Sequence, residues 1–326
     1  MSLNLVTGGA GFVGRHLIKA LETAGERVRS FDLASGVTAD EIVGSVTDPE
    51  AARRAVAGVD TVFHLAGNAQ LWARDEGVFD KVNRGGTEVV LSAAKAAGVR
   101  RFVHCSSLTT LVGRRTPKRP SSAAESTRLD ESDMLGAYPR SKLAAERVVE
   151  RAAKEGLDAV IALPTEPIGP GDESLTPPTR MILDFIRGAT PAYVDCTLNF
   201  VPVKSLALGL IAARDRGRKG ERYLLGGENI RLPALLAAIS RATGRAMPRT
   251  RLPMAVAYAA AILETFVVAP ATGRNPVAPL TGVRLAARPV SFHSEKAARD
   301  LGWRAAPFEP ALAETIAWLR ERGLSG

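Results

Sequence analysis

Near its start the chain reads LNLVTGGAGFVG (residues 3–14), and this stretch decides the fold that the whole sequence predicts. Its first four residues form a mostly apolar run that is typical of a buried strand. Leu17, Ile18 and Leu21 follow the last glycine and share one face of a helix. A strand, a glycine turn and a helix start form the context that a dinucleotide-binding site requires. We therefore expect a nucleotide site here, with a glycine-rich turn that binds no ligand as the alternative.

The glycines of this turn have separate expected roles. Gly8 allows the tight turn, Gly11 lets a pyrophosphate approach the backbone, and Gly14 lets the helix pack close to the strand. The free N–H groups at the start of the helix, at Phe12 and Val13, point at the phosphates. All five residues are predicted to bind the cofactor.

The composition indicates a globular protein and argues against a metal-binding, disulfide-bonded or secreted one. With 326 residues, 46% of them hydrophobic, the chain can hold one large domain or two closely joined ones and can bury a sizeable core. Cys105 and Cys196 match no metal-ligand spacing, so we expect no metal, no disulfide and a reducing, cytoplasmic location. The first residues do not have the pattern of a signal peptide.

The net charge of +9 comes from scattered basic residues. A solvated surface is the simple interpretation, and attraction to anionic lipid or an anionic substrate is the alternative. No aromatic residues interleave with the basic ones, so nucleic-acid binding is not expected.

Strands and helices alternate over the first half of the chain. The predicted strands are residues 3–6, 26–32, 43–48, 59–67, 101–107 and 159–163, and the helices between them include 86–97 and 138–155. Strands that alternate with helices at this spacing predict an α/β fold with a doubly wound parallel (Rossmann) sheet.

The pattern loosens after residue 167. We predict a dinucleotide-binding domain over residues 1–166, with returning segments near 199–225. Residues 167–198 and 226–326 are predicted to form a smaller C-terminal α/β substrate-binding cap, placed where open α/β sheets bind ligands. Further helices are expected near 232–243, 253–266 and 308–322.

One predicted cap helix, at residues 254–269, is strongly apolar. Pro253 and Pro270 bound it and Glu264 interrupts it. At about 24 Å it is too short to span a bilayer comfortably. We expect a helix that is buried or faces an oligomer partner, with a peripheral membrane contact as the alternative.

Asp32 ends the second predicted strand, 18 positions after Gly14. A carboxylate there can accept hydrogen bonds from an adenosine ribose and repels a 2′-phosphate. The sequence therefore favours NAD over NADP, although NADP stays open. The alternative is an ordinary strand-end aspartate in a turn.

Tyr138 and Lys142 stand four residues apart at the start of a predicted helix, so their side chains share one face. A lysine ammonium beside the phenol, together with an oxidised nicotinamide, lowers the tyrosine pKa and favours the phenolate. Such a tyrosine can exchange a proton with a substrate oxygen while hydride moves at the same carbon. Ser106 and Ser107 end the preceding strand, and a serine hydroxyl there can bond the substrate oxygen and fix its pose. Asn83 can hold the lysine's water or the loop behind the nicotinamide, or simply cap a helix.

Taken together, these motifs resemble the extended short-chain dehydrogenase/reductase superfamily, which includes NAD-dependent epimerases and dehydratases. The residues that carry the resemblance are Thr7, Gly8, Gly11, Gly14, Leu65, Ala66, Gly67, Asn83, Ser106, Ser107, Tyr138 and Lys142. Later stretches are similar to the hopanoid-associated sugar epimerase family, which is close to the dihydroflavonol 4-reductase-like reductases. These stretches are residues 71–75, 167–170, 191–195, 198–201 and 220–229.

The resemblance implies a role for particular residues. Tyr138 becomes the acid/base, Lys142 its partner and ribose ligand, and Ser107 the substrate-positioning hydroxyl, with Ser106 or Thr109 as alternatives. The further cofactor positions that it implies are Leu33, Val46, Leu65, Ala66, Gly67, Pro164 and Thr165. Val46 is among them because Ser45 stands where such proteins usually carry an adenine-binding aspartate. The substrate-side positions are Asn68, Trp72, Thr109, Tyr193, Cys196 and Asn199.

The expected function is that of an NAD(P)-dependent oxidoreductase acting on a secondary alcohol or ketone. If the cofactor is regenerated within one site, the net reaction is epimerisation or dehydration of a sugar nucleotide or hopanoid-linked substrate. If the cofactor exchanges, the enzyme is a reductase of the dihydroflavonol-reductase type. A non-catalytic dinucleotide-binding module is a further alternative. The resemblance also implies a homodimer that pairs through helices 86–97 and 138–155.

Overall fold

Seven parallel strands form the central sheet, as a computed structural model of the chain shows for residues 2–324. The strands of the described residues are β1 (Leu3–Thr7), β2 (Arg27–Asp32), β3 (Asp40–Val43), β4 (Thr61–His64), β5 (Arg101–Cys105), β6 (Ser121–Ala123), β7 (Ala159–Pro164), β8 (Glu166–Ile168), β9 (Ala192–Tyr193), β10 (Thr197–Pro202), β11 (Arg222–Leu225), β12 (Glu228–Arg231), β13 (Thr250–Arg251) and β14 (Val290–Phe292). The order in the central sheet is β11-β7-β5-β4-β1-β2-β3. The order reverses between β1 and β4, which confirms the predicted doubly wound sheet.

Helices cover both faces of this sheet. The α-helices of the described residues are α1 (Phe12–Thr23), α2 (Pro49–Val56), α3 (Gly77–Phe79), α4 (Gly86–Ala96), α5 (Ala137–Lys154), α6 (Pro177–Ile186), α7 (Val203–Arg216), α8 (Leu232–Thr243), α9 (Met254–Leu263), α10 (Ala269–Thr272), α11 (Leu280–Ala286), α12 (Glu295–Leu301) and α13 (Phe308–Glu321). Residues Asp80–Gly85 and Glu264–Val268 are π-helical, and Leu108–Leu111 and Glu131–Asp133 are 3-10 turns.

The strands bury both of their faces, because alternate side chains enter two separate cores. Phe102 belongs to the core that also contains residues of α2, α4 and α5, and Phe63 to the core that contains residues of α1 and α7. Replacing either fully buried phenylalanine by alanine is expected to cost about 3–5 kcal/mol. The near-continuous apolar strands in the sequence reflect this double burial.

The third strand lies earlier than the sequence predicts. Residues 43–48 were expected to form it, but β3 covers Asp40–Val43 and a turn follows. The Ser45 hydroxyl bonds the Thr47 hydroxyl, and the Asp48 side chain accepts from the Glu50 amide to cap α2. These local polar contacts compete with strand pairing and end the strand.

The segments after β7 form smaller sheets. β12, β10 and β8 make a three-stranded sheet, while β13 pairs with β9 and β14 with β6. An apolar cluster that includes Phe185, Phe200, Leu235 and Phe308 holds α6, α8 and α13 against the three-stranded sheet. The chain returns to the central sheet through α7 and β11. The division into residues 1–166 and a cap stays a prediction, and its termini at residues 1 and 325–326 lie outside the described residues.

The apolar helix predicted in the cap is real but is not buried. α9, the π-helical turn and α10 form one helix over Met254–Thr272, with a mean hydropathy of 1.7 in its most apolar window, only 17% of which is buried. Within residues 2–324 it is the one helix long and apolar enough to cross a membrane. Ala257 and Ala261 pack against Leu280 and Val283 of α11, while most other side chains face solvent. The expectation of burial within this chain is wrong.

Candidate active site

A cavity of about 780 Å³ opens at the carboxyl ends of the central strands, where the strand order reverses. Its lining includes many residues that the sequence assigns to a site: Gly8, Gly11, Phe12, Val13, Gly14, Leu65, Gly67, Asn68, Ser106, Ser107, Thr109, Tyr138, Lys142, Pro164, Thr165, Cys196 and Asn199. The fold thus brings residues from distant parts of the sequence together around one space.

The glycine turn at one end of the cavity leaves no room for side chains. Gly8 has a φ of 70°, and a Cβ there would lie 2.8 Å from the Ala66 amide nitrogen. A Cβ on Gly14 would lie 2.1 Å from the Gly8 carbonyl oxygen. Helix α1 starts at Phe12, and within residues 2–324 no side chain caps its N-terminus. The first amides of α1 are therefore available to an anion, so the turn fits a dinucleotide pyrophosphate.

Asp32 holds the glycine turn in place. One carboxylate oxygen accepts from the Ala10 amide at 3.0 Å and the other from the Ala34 amide at 3.3 Å. The carboxylate stands at the end of β2, beside the strand that leads into the turn. Leu33 next to it is exposed.

Other predicted cofactor positions flank the cavity rather than line it. Val46 is buried, and a Cβ on Gly86 of α4 would lie 2.8 Å from one of its methyl groups. The Ala66 amide donates to the Thr7 hydroxyl at 3.1 Å, which fixes the end of β4 beside the glycine turn.

Tyr138 and Lys142 lie one turn apart in α5, both buried and both lining the cavity. The Lys142 ammonium donates to the Cys105 carbonyl at 2.6 Å, so it is fixed to the end of β5. Burial lowers the pKa of Lys142, while Cys105 and Glu146 act in the opposite direction.

Burial raises the pKa of Tyr138 to about 12, and a hydrogen bond with Ser107 opposes this only in part. The lowered pKa that the sequence predicts for the tyrosine is therefore not produced by the protein alone. At neutral pH the phenol holds its proton.

The two serines after β5 have different partners. The Ser106 hydroxyl donates to the Glu146 carboxylate, which also pairs with Arg222 at 3.0 Å in a buried ion pair. The Ser107 hydroxyl instead accepts from the Thr109 amide at 3.2 Å and from the Thr109 hydroxyl at 3.0 Å. Ser107 thus lies next to Tyr138 and is held by Thr109, while Ser106 is bonded to the buried Glu146–Arg222 ion pair.

Asn83 lies inside a helix and not at its start, because the π-helical turn joins α3 to α4. Its side-chain oxygen accepts from the Asn68 amide at 2.8 Å. Its nitrogen donates to the Asn68 carbonyl at 3.1 Å and to the Ser141 hydroxyl at 2.9 Å. The helix-cap interpretation is wrong: Asn83 ties the loop after β4 to α5.

Three predicted substrate-side residues do not present free polar groups to the cavity. The Asn199 amide group bonds Asn229 at 2.9 Å and both backbone groups of Gly227. Trp72 and Tyr193 lie outside the cavity lining. Asn199 is therefore a structural tie between β10 and β12.

Cys196 does line the cavity, and burial raises the pKa of its thiol to about 12. The side chain stays protonated at neutral pH and forms part of an apolar wall. A nucleophilic role would require the thiolate, so it is not expected here.

Glu166 lines the cavity directly after Thr165 and is a site residue that the sequence did not predict. Burial raises the pKa of its carboxyl to about 8, so Glu166 is a neutral acid at neutral pH. The Thr165 hydroxyl beside it is buried, without a hydrogen-bond partner among residues 2–324. The available signal was a single acid within the apolar run of β7 and β8, between Pro164 and Pro167.

The far wall of the cavity is apolar. It comes from α6, the segment before α11 and α11 itself, with residues such as Met181, Val277, Pro279 and Leu285. Apart from Lys142 and Glu166, the only acidic or basic lining residue in the described part of the chain is Arg288. Arg288 donates to the Gly113 and Arg114 carbonyls.

Comparison with known families agrees with this geometry. The sequence model of the NAD dependent epimerase/dehydratase family matches residues 4–226, more than half of the chain. The chain belongs to the NAD-dependent epimerase/dehydratase family. The resemblance predicted from the motifs is confirmed, and this epimerase/dehydratase family member is an NAD-dependent enzyme rather than a non-catalytic binding module.

Proteins that are similar to this chain over nearly its whole length are named as a reductase and a demethylase. A putative dihydroflavonol 4-reductase from Synechocystis sp. is 35% identical over 98% of this chain and 94% of its own length. Sterol demethylase protein B from Methylococcus capsulatus is 32% identical over 98% of this chain and 99% of its own length. The crystal structure of gox2253 has a TM-score of 0.85 at 35% identity, covering 99% of both chains. This family member therefore shares its whole length with these proteins.

Proposed function

We propose that the chain is an NAD(H)-dependent oxidoreductase that interconverts a ketone and a secondary alcohol on a bulky, mostly apolar substrate. The observation that carries the proposal is the buried Tyr138–Lys142 pair, with Ser107, in a large apolar cavity that begins at the glycine turn. When bound, the nicotinamide supplies or accepts the hydride. The protein supplies the proton, the orientation and a site protected from water.

The proton is held at the Tyr138 hydroxyl. Because burial raises its pKa to about 12, the phenol is protonated at neutral pH and is ready to donate to a ketone oxygen. The C=O π bond breaks as hydride forms a C–H bond at the carbon, and the oxygen takes the tyrosine proton. The Lys142 ammonium, fixed by the Cys105 carbonyl, stabilises the phenolate that remains.

The dinucleotide is proposed to run from the glycine turn to the end of β7. The first amides of α1 would bind the pyrophosphate, and the Asp32 carboxylate would accept hydrogen bonds from the adenosine ribose and disfavour a 2′-phosphate. Pro164 and Thr165, which line the cavity at the end of β7, would lie beside the nicotinamide. NAD is thus preferred to NADP.

The substrate class follows from the charges of the cavity. A nucleotide sugar carries two phosphates, yet in the described part of the chain the two cationic side chains of the cavity lining, Lys142 and Arg288, are both bonded to backbone carbonyls. A neutral substrate with apolar rings or chains fits better, and Glu166 as a neutral acid can donate a hydrogen bond to its second polar group. The sterol and dihydroflavonol in the names of the similar proteins are substrates of this kind.

Epimerisation or dehydration is the second candidate, because the family name includes both. In that case the hydride returns to the substrate and the cofactor shows no net turnover. Purified protein with NADH and a set of apolar ketones, including a steroid ketone and a flavanonol, separates the two. Stoichiometric loss of NADH absorbance supports the reductase, whereas product formation without NADH loss supports internal redox.

The residue assignment has its own test. We expect Tyr138→Phe to remain folded and to bind NADH, and to lose more than about 100-fold in turnover, the scale of a missing acid/base. Near-normal turnover in this variant would refute the assignment.

We also propose a cytoplasmic homodimer that pairs through α4 and α5 and contacts the membrane peripherally. Small residues on these helices would permit close approach of two chains, but Ala93, Ala94, Ala144 and Ala145 are all buried within one chain and so do not mediate the pairing. The outward surface of the two helices has to mediate it instead. Light scattering with size-exclusion chromatography tests this, and a monomer at micromolar concentration would exclude it.

A further inference from the structure

The helix Met254–Thr272 exposes an apolar stripe along its length. Leu263 is 54% exposed, Phe266 64% and Val267 56%, and Val256 and Ile262 are exposed to a similar degree. We call these five residues the apolar stripe. Large apolar side chains are rarely exposed next to one another on the surface of a soluble protein, so such a stripe indicates a surface that binds another molecule or a membrane.

The opposite side of the same helix is bound to the protein. Ala257 and Ala261 pack on α11, and the Thr265 hydroxyl accepts from the Leu280 amide at 3.1 Å. The Glu264 carboxylate, the one acidic group in the helix, accepts from the Val277 amide at 3.4 Å. A helix fixed along one side in this way leaves only its other side free to contact a surface, and crossing a bilayer would require breaking these contacts.

The charged residues in the segment of sequence that contains the helix are almost all positive. Residues 245–290 contain six arginines and a single carboxylate, that of Glu264. The arginines are Arg245, Arg249, Arg251, Arg274, Arg284 and Arg288. Arg249 precedes the helix and Arg274 follows it, both exposed, while Arg251 pairs with Asp195 at 3.1 Å. An apolar stripe with cationic ends is complementary to an anionic lipid surface.

The helix that carries the stripe is hydrogen-bonded to a residue at the mouth of the cavity. Val277 lines the cavity and is also 78% exposed, so it stands at the opening. Its amide is bonded to Glu264 of the helix, and the next residues, Ala278 and Pro279, continue the cavity wall. The apolar stripe and the entrance to the site therefore belong to neighbouring segments of the chain.

We propose that the apolar stripe, with Arg249 and Arg274, docks the enzyme on an anionic membrane surface, and that its apolar substrate enters from the lipid past Val277. The route of entry rests on the proposed oxidoreductase activity, whereas the docking assigns a surface to the peripheral membrane contact proposed above and does not depend on that activity. The stripe lies in the boundary between headgroups and acyl chains, and the arginines contact the lipid phosphates.

Sedimentation with vesicles tests the docking without any substrate, so its outcome is distinct from that of the activity assay. The purified full chain is mixed with vesicles of phosphatidylcholine alone, or of equal parts phosphatidylcholine and phosphatidylglycerol. We expect about tenfold stronger partition into the anionic vesicles, weakened by high salt. No sedimentation with anionic vesicles at low salt would overturn the proposal.

Variants locate the surface. The double variant Phe266→Asp with Val267→Asp is expected to lower partition about tenfold or more, and Arg249→Glu with Arg274→Glu to remove the preference for anionic lipid. Leu208→Asp, which changes a side chain 57% exposed on α7, and Arg54→Glu on α2 are the matched controls and should bind as the wild type. Circular dichroism and NADH binding identify misfolded variants, and the arginine pair provides a second test if the aspartates disturb the helix.

Two results would contradict the assignment of the surface. One is equal loss of binding in the control variants. The other is a lipid-free oligomer that the two aspartates convert to a smaller species, which would assign the stripe to a second copy of the chain. For entry from the lipid, the two aspartates should slow turnover of a vesicle-embedded ketone and leave turnover of a water-soluble one unchanged.

Discussion

The Glu166→Gln substitution tests the electrostatics of the cavity most sharply, through the pH dependence of stability. Burial raises the Glu166 pKa from 4.5 to about 8 in the folded protein. Below pH 4.5 the carboxyl is protonated in both the folded and the unfolded state, so it adds no pH dependence. Between pH 4.5 and about 8 the unfolded chain loses this proton while the folded chain keeps it. The folded state then binds more protons, so the free energy of unfolding falls as pH rises.

The size of this effect follows from linkage. One proton of difference changes the free energy of unfolding by about 1.4 kcal/mol per pH unit, so Glu166 is expected to cost the wild type a few kcal/mol by pH 8. Glutamine keeps the shape of the side chain and a hydrogen-bond donor, but it has no proton to lose in either the folded or the unfolded state. The variant should match the wild type at about pH 4.5 and become progressively more stable than it toward pH 8.

Urea unfolding at a series of pH values measures this difference directly. Subtracting the wild-type curve from the variant curve cancels the contributions of all other titrating groups to the pH dependence. One of them is His64, whose pKa burial lowers to about 3 and whose contribution has the opposite sign. That histidine stabilises the fold above about pH 6.5 and loses this contribution as pH falls. Glu22→Gln, at an exposed carboxyl on α1, is the matched control and should show no such trend. A difference between Glu166→Gln and wild type that is constant across pH would refute the reasoning.

Three further changes test the supports of the site. Asn83→Leu removes the buried amide that ties the loop after β4 to α5; we expect a loss of about 1–3 kcal/mol in urea unfolding and slower turnover. Glu146→Gln leaves the Arg222 charge buried without its ionic partner and should cost about 3–5 kcal/mol by the same assay, whereas replacing both by apolar residues should cost less. Asp32→Ala should bring the KM for NADPH closer to that for NADH, and an unchanged ratio of the two would contradict the ribose assignment.

Local sequence patterns predicted the parts of the fold that depend on neighbours in the chain. The glycine turn works through backbone geometry at Gly8 and Gly14, so its spacing is visible in the sequence. The spacing of Tyr138 and Lys142 on one helix face is visible for the same reason. The third strand was misplaced because Ser45 and Asp48 end it with side-chain bonds that an apolar pattern does not show.

The rest of the site depends on contacts between distant segments. The cavity wall at Val277 and Leu285 comes from the C-terminal part of the chain, more than a hundred residues from Tyr138. The raised pKa of Glu166 depends on what covers it, which no local pattern gives. Composition alone also could not distinguish a buried helix at 254–272 from an exposed one, because both are apolar.

The central claim is that hydride moves between a nicotinamide and a substrate carbon while Tyr138 provides the proton. The most direct measurement uses NADH with deuterium at its transferable position and an apolar ketone, with mass spectrometry of the product. The proposal predicts an alcohol that carries one deuterium per NADH consumed with the wild type, and almost none with Tyr138→Phe. Product without deuterium, or equal deuterium transfer by both proteins, would contradict it.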